Sequence, residues 1–182
     1  MDGFRYGHLS EHIESIEVVT PEDGGTVVSV GPADEAYERY SGTEGQLGVI
    51  TRVTLKLRER PTRHRSFLAL FDEPERAFEL IDTLAREDVP ALHVIFLDQG
   101  HMHELNEVHR ARGRSGDIVP EKDAVLFYFD DVAKAAELEG QIAKWVEQHQ
   151  GTLAERHVAN LLFNDRFLPL KAKKLGPQLM GA

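Results

Sequence analysis

Three glycines occur at three-residue intervals in residues 42–51, directly before a β-branched run. Glycine has no Cβ atom, so such a loop can bring its backbone close to a ligand, and its successive N–H groups can form a concave site for an anion. Residues 49–57, which follow, have the composition of a strand. The spacing by itself therefore fits two structures, a phosphate-binding loop or a tight connection that enters a buried strand.

The order of these elements differs from the dinucleotide-binding fingerprint of doubly wound folds. That fingerprint runs from a strand through glycines into a helix, whose N-terminus binds the pyrophosphate. Here a strand, and no helix, is predicted directly after the glycines. The glycines therefore do not indicate a Rossmann-type domain.

Three histidines and two glutamates between residues 101 and 109 have the side-chain chemistry of a metal site. However, His101 and His103 are two residues apart and so face different sides of a helix, and His109 has no i, i+4 relation to His101. We therefore predict a solvated helix face and no metal. The chain also lacks cysteine and a Gly-x-Ser-x-Gly elbow, which argues against the usual hydrolase nucleophiles.

Four pieces of the N-terminal third resemble the flavin domain of FAD-linked oxidases of the glycolate oxidase and D-lactate dehydrogenase type, a PCMH-type FAD-binding domain. In that family a Tyr-Gly leads to a strand ending in Val-Val-x-Pro-x-Gly, and Gly-Ser/Thr-Glu-Gly-x-Leu-Gly-Val/Ile-Ile-Thr comes later. The order and chemistry match over residues 5–61 and most strongly over 42–57. The pieces are Arg5-Tyr6-Gly7-His8 and residues 16–21, 42–51 and 58–61.

The resemblance implies FAD as the cofactor and a small 2-hydroxy acid, such as glycolate or D-lactate, as the substrate, with the flavin performing the hydride chemistry. It also implies that Glu44 fixes the loop by accepting backbone N–H bonds. We predict that the backbone of the loop, more than its side chains, faces the cofactor. The predicted cofactor-binding residues are Gly42, Thr43, Glu44, Gly45, Gln46, Leu47, Gly48, Val49 and Ile50.

The flavin domain of that family is longer than the part matched here. Its earlier half carries another glycine-rich phosphate loop, and a histidine-bearing metal and catalytic segment follows the cap domain. The resemblance therefore implies a fragment of a longer enzyme or one chain of a split one, inactive alone and completed by a companion, and we assign no catalytic residue. We expect residues 1–62 to be the C-terminal part of the FAD-binding domain and residues 63–182 an incomplete substrate or cap domain.

An internal repeat organises the chain after residue 63. An apolar strand, an aspartate suited to a helix cap and an amphipathic helix occur twice at one offset, and strands are expected after the helices, over 92–97 and 152–158. Two such halves predict an α+β fold, a ferredoxin-like antiparallel sheet with helices on one face, and a further helix over 101–110. The repeated residues are Leu68, Phe71, Asp72, Ala77, Glu79, Leu80 and Ala85, which recur as Leu126, Phe129, Asp130, Ala135, Glu137, Leu138 and Ala143.

Arg166 lies in residues 161–177, which concentrate four basic residues in an acidic chain. This segment resembles a cap-domain segment of the same family in which an apolar or aromatic pair precedes an arginine, although it lacks the tryptophan often found there. The resemblance implies that Arg166 binds the substrate carboxylate. A basic solvated turn is the alternative.

The net charge of −10 argues against general binding to nucleic acids or anionic membranes, which requires a surplus of Lys and Arg. No apolar signal core and no apolar run of about 18 residues is present, so we predict a cytoplasmic protein without a transmembrane segment. A second class of function stays open. It is a non-catalytic ferredoxin-like binding module whose N-terminal strands pair with a partner chain.

Overall fold

A computed structural model of the chain describes residues 3–21, 24–40, 43, 45–59, 63–114, 116 and 118–169. The chain divides into two compact units, Met1–Arg60 and Pro61–Ala182, with a three-stranded and a four-stranded antiparallel sheet. The α+β class predicted from the sequence is confirmed. Across the described ranges, no helix has the length and apolar character needed to cross a bilayer.

The first unit consists of a hairpin and a third strand. Its elements are α1 (Gly3–Tyr6), a 3₁₀ turn (Leu9–His12), β1 (Ile13–Val19), β2 (Val27–Val30), α2 (Tyr37–Tyr40) and β3 (Val49–Leu55). The strand order is β2-β1-β3. Buried and half-buried residues alternate over residues 15–19 of β1, which suits a strand with one buried face.

The core of the first unit is small and lies on one side of its sheet. Ile16 and Val18 of β1 are buried there with Val30 of β2 and Tyr37 of α2. The Tyr37 hydroxyl donates a hydrogen bond to the Ser10 carbonyl oxygen at 2.9 Å and so ties α2 to the 3₁₀ turn. Because α2 is one turn long, it covers only β1 and β2, and every residue of β3 is exposed.

The second unit places both halves of the internal repeat in one sheet. Its elements are β4 (Arg65–Phe71), α3 (Pro74–Arg86), β5 (His93–Leu97), α4 (Gln99–Ala111), β6 (Asp123–Phe129), α5 (Val132–Gln148), β7 (Thr152–Leu153) and α6 (Arg156–Asp165). The strand order is β5-β6-β4-β7. The ferredoxin-like arrangement is therefore confirmed.

A local two-fold axis between β4 and β6 relates the two halves. Leu68 lies directly opposite Leu126 in the antiparallel register, and the repeat equates these two residues. The outer strands are exchanged between the halves, because β5 pairs with β6 and β7 pairs with β4.

Helices cover both faces of this sheet. α3 and α5, the helices of the repeat, share one face and are joined by Thr83 Oγ1 and His149 Nε2 at 2.9 Å. On the other face, Met102 of α4 and Leu162 of α6 pack with Leu126 of β6. Burial on both sides explains why β6 is a nearly continuous apolar run.

The sequence predicts a strand over 152–158, but the prediction is correct only for Thr152 and Leu153. β7 ends at Leu153, and α6 begins at Arg156. Ala159 and Leu162 have helical spacing and are buried against the sheet. As an edge strand, the same segment would direct alternate side chains away from the sheet face that α6 covers.

The N-terminal helix caps agree with the sequence prediction at α5 and disagree at α3. Asp131 accepts a backbone N–H bond at 2.9 Å at the start of α5. Asp72, which was expected to cap α3, instead pairs with Lys122 at 2.8 Å. Gly151, which was expected to end α5, does not: α5 ends at Gln148, Gln150 has the positive φ of +59°, and Gly151 instead leaves room for the ring of Phe71.

Candidate functional site

The glycine stretch forms a tight turn between α2 and β3. The Gln46 amide donates to the Thr43 carbonyl oxygen at 3.0 Å, which closes the turn. Gly45, the third residue of the turn, has a φ of +80°, which other residues rarely adopt. The Thr43 hydroxyl donates to the Tyr40 carbonyl oxygen at 3.3 Å and attaches the turn to the end of α2.

Gly48 allows the start of β3 to approach β1. A Cβ atom on Gly48 would lie 2.6 Å from a methyl carbon of Val18 and 3.0 Å from the Val19 carbonyl oxygen. Gly48 thus uses the close approach that glycine permits for its contact with β1, within the first unit. Gly42 and Glu44 lie outside the described residues, so the roles predicted for them stay predictions.

The strand after the turn is exposed, which corrects one interpretation of the glycine spacing. A tight connection was expected to enter a buried strand, yet Val49 is 65% exposed and Ile50 is 44% exposed. Leu47, in the turn, is exposed as well. Next to β3 the sheet has an apolar cavity of about 170 Å³, lined by His8, Leu9, Ser10, Ile13, Ile16, Ile50 and Val53.

The first and last pieces of the sequence resemblance meet in this unit. The guanidinium carbon of Arg58 lies 4.4 Å from the centroid of the Tyr6 ring. Gly7 has a φ of +77°, and a Cβ atom there would collide with the Glu11 carboxylate. That carboxylate accepts the His8 N–H at 2.8 Å. The Tyr-Gly pair therefore forms a fixed corner ahead of β1.

Arg166 lies at the C-terminus of α6 against two aromatic rings. Its guanidinium carbon is 4.4 Å from the centroid of the Phe163 ring and 4.6 Å from that of Phe167. Its Nε is buried without a hydrogen-bond partner, and no carboxylate of the described residues pairs with it. Burial lowers the pKa of the Arg166 guanidinium, and nearby Tyr128 opposes this shift. Arg166 is thus a half-buried cation whose N–H groups can receive an anion.

Two more rings complete the surroundings of Arg166. The His64 ring centroid is 4.2 Å from that of Phe163, and the Tyr128 ring centroid is 4.6 Å from it. Residue 64 precedes β4, and residue 128 lies in β6, so two strands and α6 contribute to one cluster. We call Arg166 with His64, Tyr128, Phe163 and Phe167 the aromatic cradle. The sequence analysis missed His64 and Tyr128, and their only signal is a polar aromatic residue at a strand end.

Asp165 anchors the end of α6 next to Arg166. Its Oδ2 accepts from the Arg114 guanidinium at 2.9 Å and lies 3.2 Å from Nε2 of the fully buried His109. These contacts connect α6 to α4 and to the residues just after α4. His109 is therefore a buried residue that links α4 to α6, whereas the sequence predicted that it lies on a solvated helix face.

The histidines of α4 point in different directions. His103 Nδ1 lies 3.0 Å from Glu121 Oε2 at the surface, whereas His109 is buried. Hydrogen bonds from Asn106, and secondly from His103, lower the pKa of Glu121. Within the described part of the chain, no three His, Asp or Glu side chains are grouped as they would be around a metal ion.

The chain is similar to curated oxidases and dehydrogenases that are several times longer. Glycolate oxidase subunit GlcD of Bacillus subtilis is 28% identical over 103 residues, 53% of this chain and 22% of that protein. GlcD of Escherichia coli K12 is 35% identical over 79 residues, 40% of this chain and 15% of that protein. The mitochondrial D-lactate dehydrogenase [cytochrome] of Arabidopsis thaliana is 24% identical over 155 residues, 81% of this chain and 26% of that protein. No protein-family model matches.

Solved structures share the fold at low sequence identity. An alkyldihydroxyacetonephosphate synthase superposes with a TM-score of 0.61 at 15% identity, over 94% of this chain and 34% of that chain. The 4-ethylphenol oxidase from Gulosibacter chungangensis superposes with a TM-score of 0.58 at 18% identity, over 91% and 39%. The chain thus corresponds to little more than a third of each neighbour.

The antiparallel α+β architecture places the chain in a fold class that it shares with an alkyldihydroxyacetonephosphate synthase and a 4-ethylphenol oxidase. Within that class, the curated matches confirm the resemblance to FAD-linked oxidases of the glycolate oxidase and D-lactate dehydrogenase type.

Proposed function

We propose that this chain is part of an FAD-dependent oxidoreductase that oxidises a small 2-hydroxy acid of the glycolate or D-lactate type. In this proposal, residues 1–62 belong to the FAD-binding domain and residues 63–182 to the substrate domain. The observation that carries the proposal is Arg166, a half-buried guanidinium without a carboxylate partner among the described residues. The names of the curated relatives, a glycolate oxidase subunit and a D-lactate dehydrogenase, support the substrate class.

The described surface of the first unit fits FAD in chemical character. Leu47, Val49 and Ile50 present apolar side chains next to the glycine turn, and flavin and adenine rings are flat and largely apolar. Gly45 supplies the backbone conformation that holds these residues around the turn. When bound, FAD supplies the hydride acceptor for the oxidation.

Arg166 binds and orients the substrate in this proposal. A planar guanidinium makes two parallel charge-assisted hydrogen bonds to a carboxylate, which fixes the plane of the acid and directs its C2–H. Phe163 and Phe167 lie within 4.4 and 4.6 Å of the guanidinium carbon and make its surroundings less polar than water. A less polar surrounding strengthens the attraction to the carboxylate. Lysine has a single charged nitrogen and does not provide this geometry.

The activity belongs to an assembly larger than this chain. The chain's match spans only about a fifth of GlcD of B. subtilis, 22% of its length. We propose that the rest of the flavin domain comes from the same polypeptide or from a companion chain, and that residues 1–182 alone do not turn over substrate. The cytoplasmic location stays a prediction.

Flavin content tests the cofactor assignment. We expect the visible spectrum of the protein purified with the remainder of the flavin domain to show bound flavin, and the Gly45→Val variant to lose it, because valine disfavours a φ of +80°. Gly113→Val is the matched control, since Gly113 has a φ of +72° but lies in the second unit. Undiminished flavin in Gly45→Val would refute the assignment.

The exposed strand β3 favours a second candidate function. All seven of its residues are exposed, so its free edge can accept a strand from another chain. In this alternative the protein is a non-catalytic binding module. A stable complex that lacks flavin, and forms through β3, would favour the module over the enzyme.

A further inference from the structure

The guanidinium of Arg166 lies against two phenylalanine rings. Phe163 and Phe167 each lie within cation–π distance of its central carbon, at 4.4 and 4.6 Å. The N–H groups lie in the guanidinium plane, at the edge that binds carboxylates. The Nε of Arg166 is buried and has no hydrogen-bond partner among the described residues. The cradle is therefore suited to a planar anion that approaches edge on.

The walls of the cradle are more apolar than a two-carbon acid requires. Phe167 is 49% exposed, so apolar ring surface is open to solvent beside the guanidinium. Phe163 has the His64 ring at 4.2 Å and the Tyr128 ring at 4.6 Å, so the aromatic contacts next to the guanidinium extend to two further rings, of which Tyr128 is buried and His64 is exposed. Glycolate has no group that reaches the Phe167 ring, and bound glycolate would leave the exposed part of that ring in water.

We propose that the cradle binds 2-hydroxy acids that carry an aryl group, of the 3-phenyllactate or mandelate class, in preference to glycolate. This inference rests on the proposed function of Arg166 and names the substrate class of the same site. The carboxylate pairs with the guanidinium edge, and the aryl ring packs on Phe163 and Phe167. Burial of a ring against aromatic side chains adds affinity that a small acid cannot obtain.

Ligand titration of the purified 182-residue chain tests this inference. The Arg166 Nε–H resonance, assigned with the Arg166→Gln variant, is followed by ¹H–¹⁵N NMR during addition of glycolate or of each enantiomer of 3-phenyllactate. We expect one phenyllactate enantiomer to shift this resonance with an affinity at least tenfold higher than that of glycolate. This comparison uses the unmodified chain and does not depend on the folding of a variant.

Two variants locate the aryl subsite. Phe167→Ala should weaken phenyllactate binding about fivefold or more, and by a larger factor than it weakens glycolate binding. Phe78→Ala is the matched control. Phe78 lies in α3, is 53% exposed and packs its ring on Phe96 of β5, so it is an exposed phenylalanine outside the aromatic cradle. Equal affinities for glycolate and phenyllactate would overturn the aryl preference and leave the proposed function intact. Shifts with neither acid would overturn the role of Arg166 and the inference with it, and unaltered phenyllactate binding in Phe167→Ala would overturn the assigned subsite.

Discussion

The absence of one methyl group at Gly48 decides how closely β3 approaches β1. In the Gly48→Ala variant the new Cβ atom lies within 2.6 Å of Val18 and 3.0 Å of the Val19 carbonyl oxygen, so the strands must separate. We expect a loss of about 1–3 kcal/mol in the stability of the first unit, measured by urea unfolding followed by far-UV circular dichroism. Gly116→Ala, where nothing lies within 4 Å, is the control. Equal stability of the two variants would contradict the packing role of Gly48.

Arg166 provides a kinetic prediction at the same scale. In the complete enzyme, Arg166→Lys should raise KM or lower kcat/KM for the hydroxy acid by roughly tenfold or more, about 1.4 kcal/mol, because lysine lacks the paired donors. Flavin content should be unchanged. Arg156→Lys is the control, since Arg156 is exposed at the start of the same helix. Unaltered steady-state kinetics would leave Arg166 as an ordinary residue of the helix end.

At the scale of elements, Asp165 holds α6 against α4. Asp165→Ala removes a hydrogen-bond partner of the buried His109, at 3.2 Å, and the ion pair with Arg114. We expect a loss of about 1–3 kcal/mol in the free energy of unfolding, which is typical when a buried polar group loses a partner. Asp82→Ala, in an exposed pair with Arg86, should cost much less. A similar cost for both variants in urea titrations would show that the α4–α6 link is unimportant.

Glu121 makes the packing of α4 sensitive to acid. The pKa of this carboxyl is lowered from 4.5, mainly by the hydrogen bond from Asn106 and secondly by that from His103. A lowered pKa in the folded state means that this stabilisation is present above the unfolded pKa and is lost as the pH falls through the folded value. Glu121→Gln should therefore lower Tm at neutral pH and reduce the dependence of Tm on pH below about 4.5. Parallel Tm profiles of the variant and the parent would contradict this coupling.

At the scale of the whole molecule, the two units differ in the size of their cores. The first unit has four residues in its buried apolar cluster, while the second has a sheet covered on both faces. Trp145, the single tryptophan, is buried in the second unit, so its fluorescence reports on that unit alone. We expect the circular dichroism of the chain in urea to change first, and Trp145 fluorescence at a higher concentration. Coincident transitions would show that the units unfold together.

The sequence predicted the second unit better than the site, and the reasons are physical. Leu68 and Leu126 mark a repeat whose β-α-β halves have few ways to pack, so the sheet followed from the pattern. The structure of the segment after Thr152 did not follow from the pattern, because a short apolar stretch fits a strand or a helix until its packing partner is known. His64 and Tyr128 meet only after β4 and β6 pair, and no local spacing connects them.

The exchange of outer strands makes each half of the second unit depend on the other half. Because β5 pairs only with β6, and β7 only with β4, neither half contains two adjacent strands of its own. The two halves are therefore arranged as the two subunits of a homodimer would be, with the β4–β6 contact at Leu68 and Leu126 on the dyad. A peptide that contains one half is therefore expected to be a dimer or to be unfolded, and never a folded monomer.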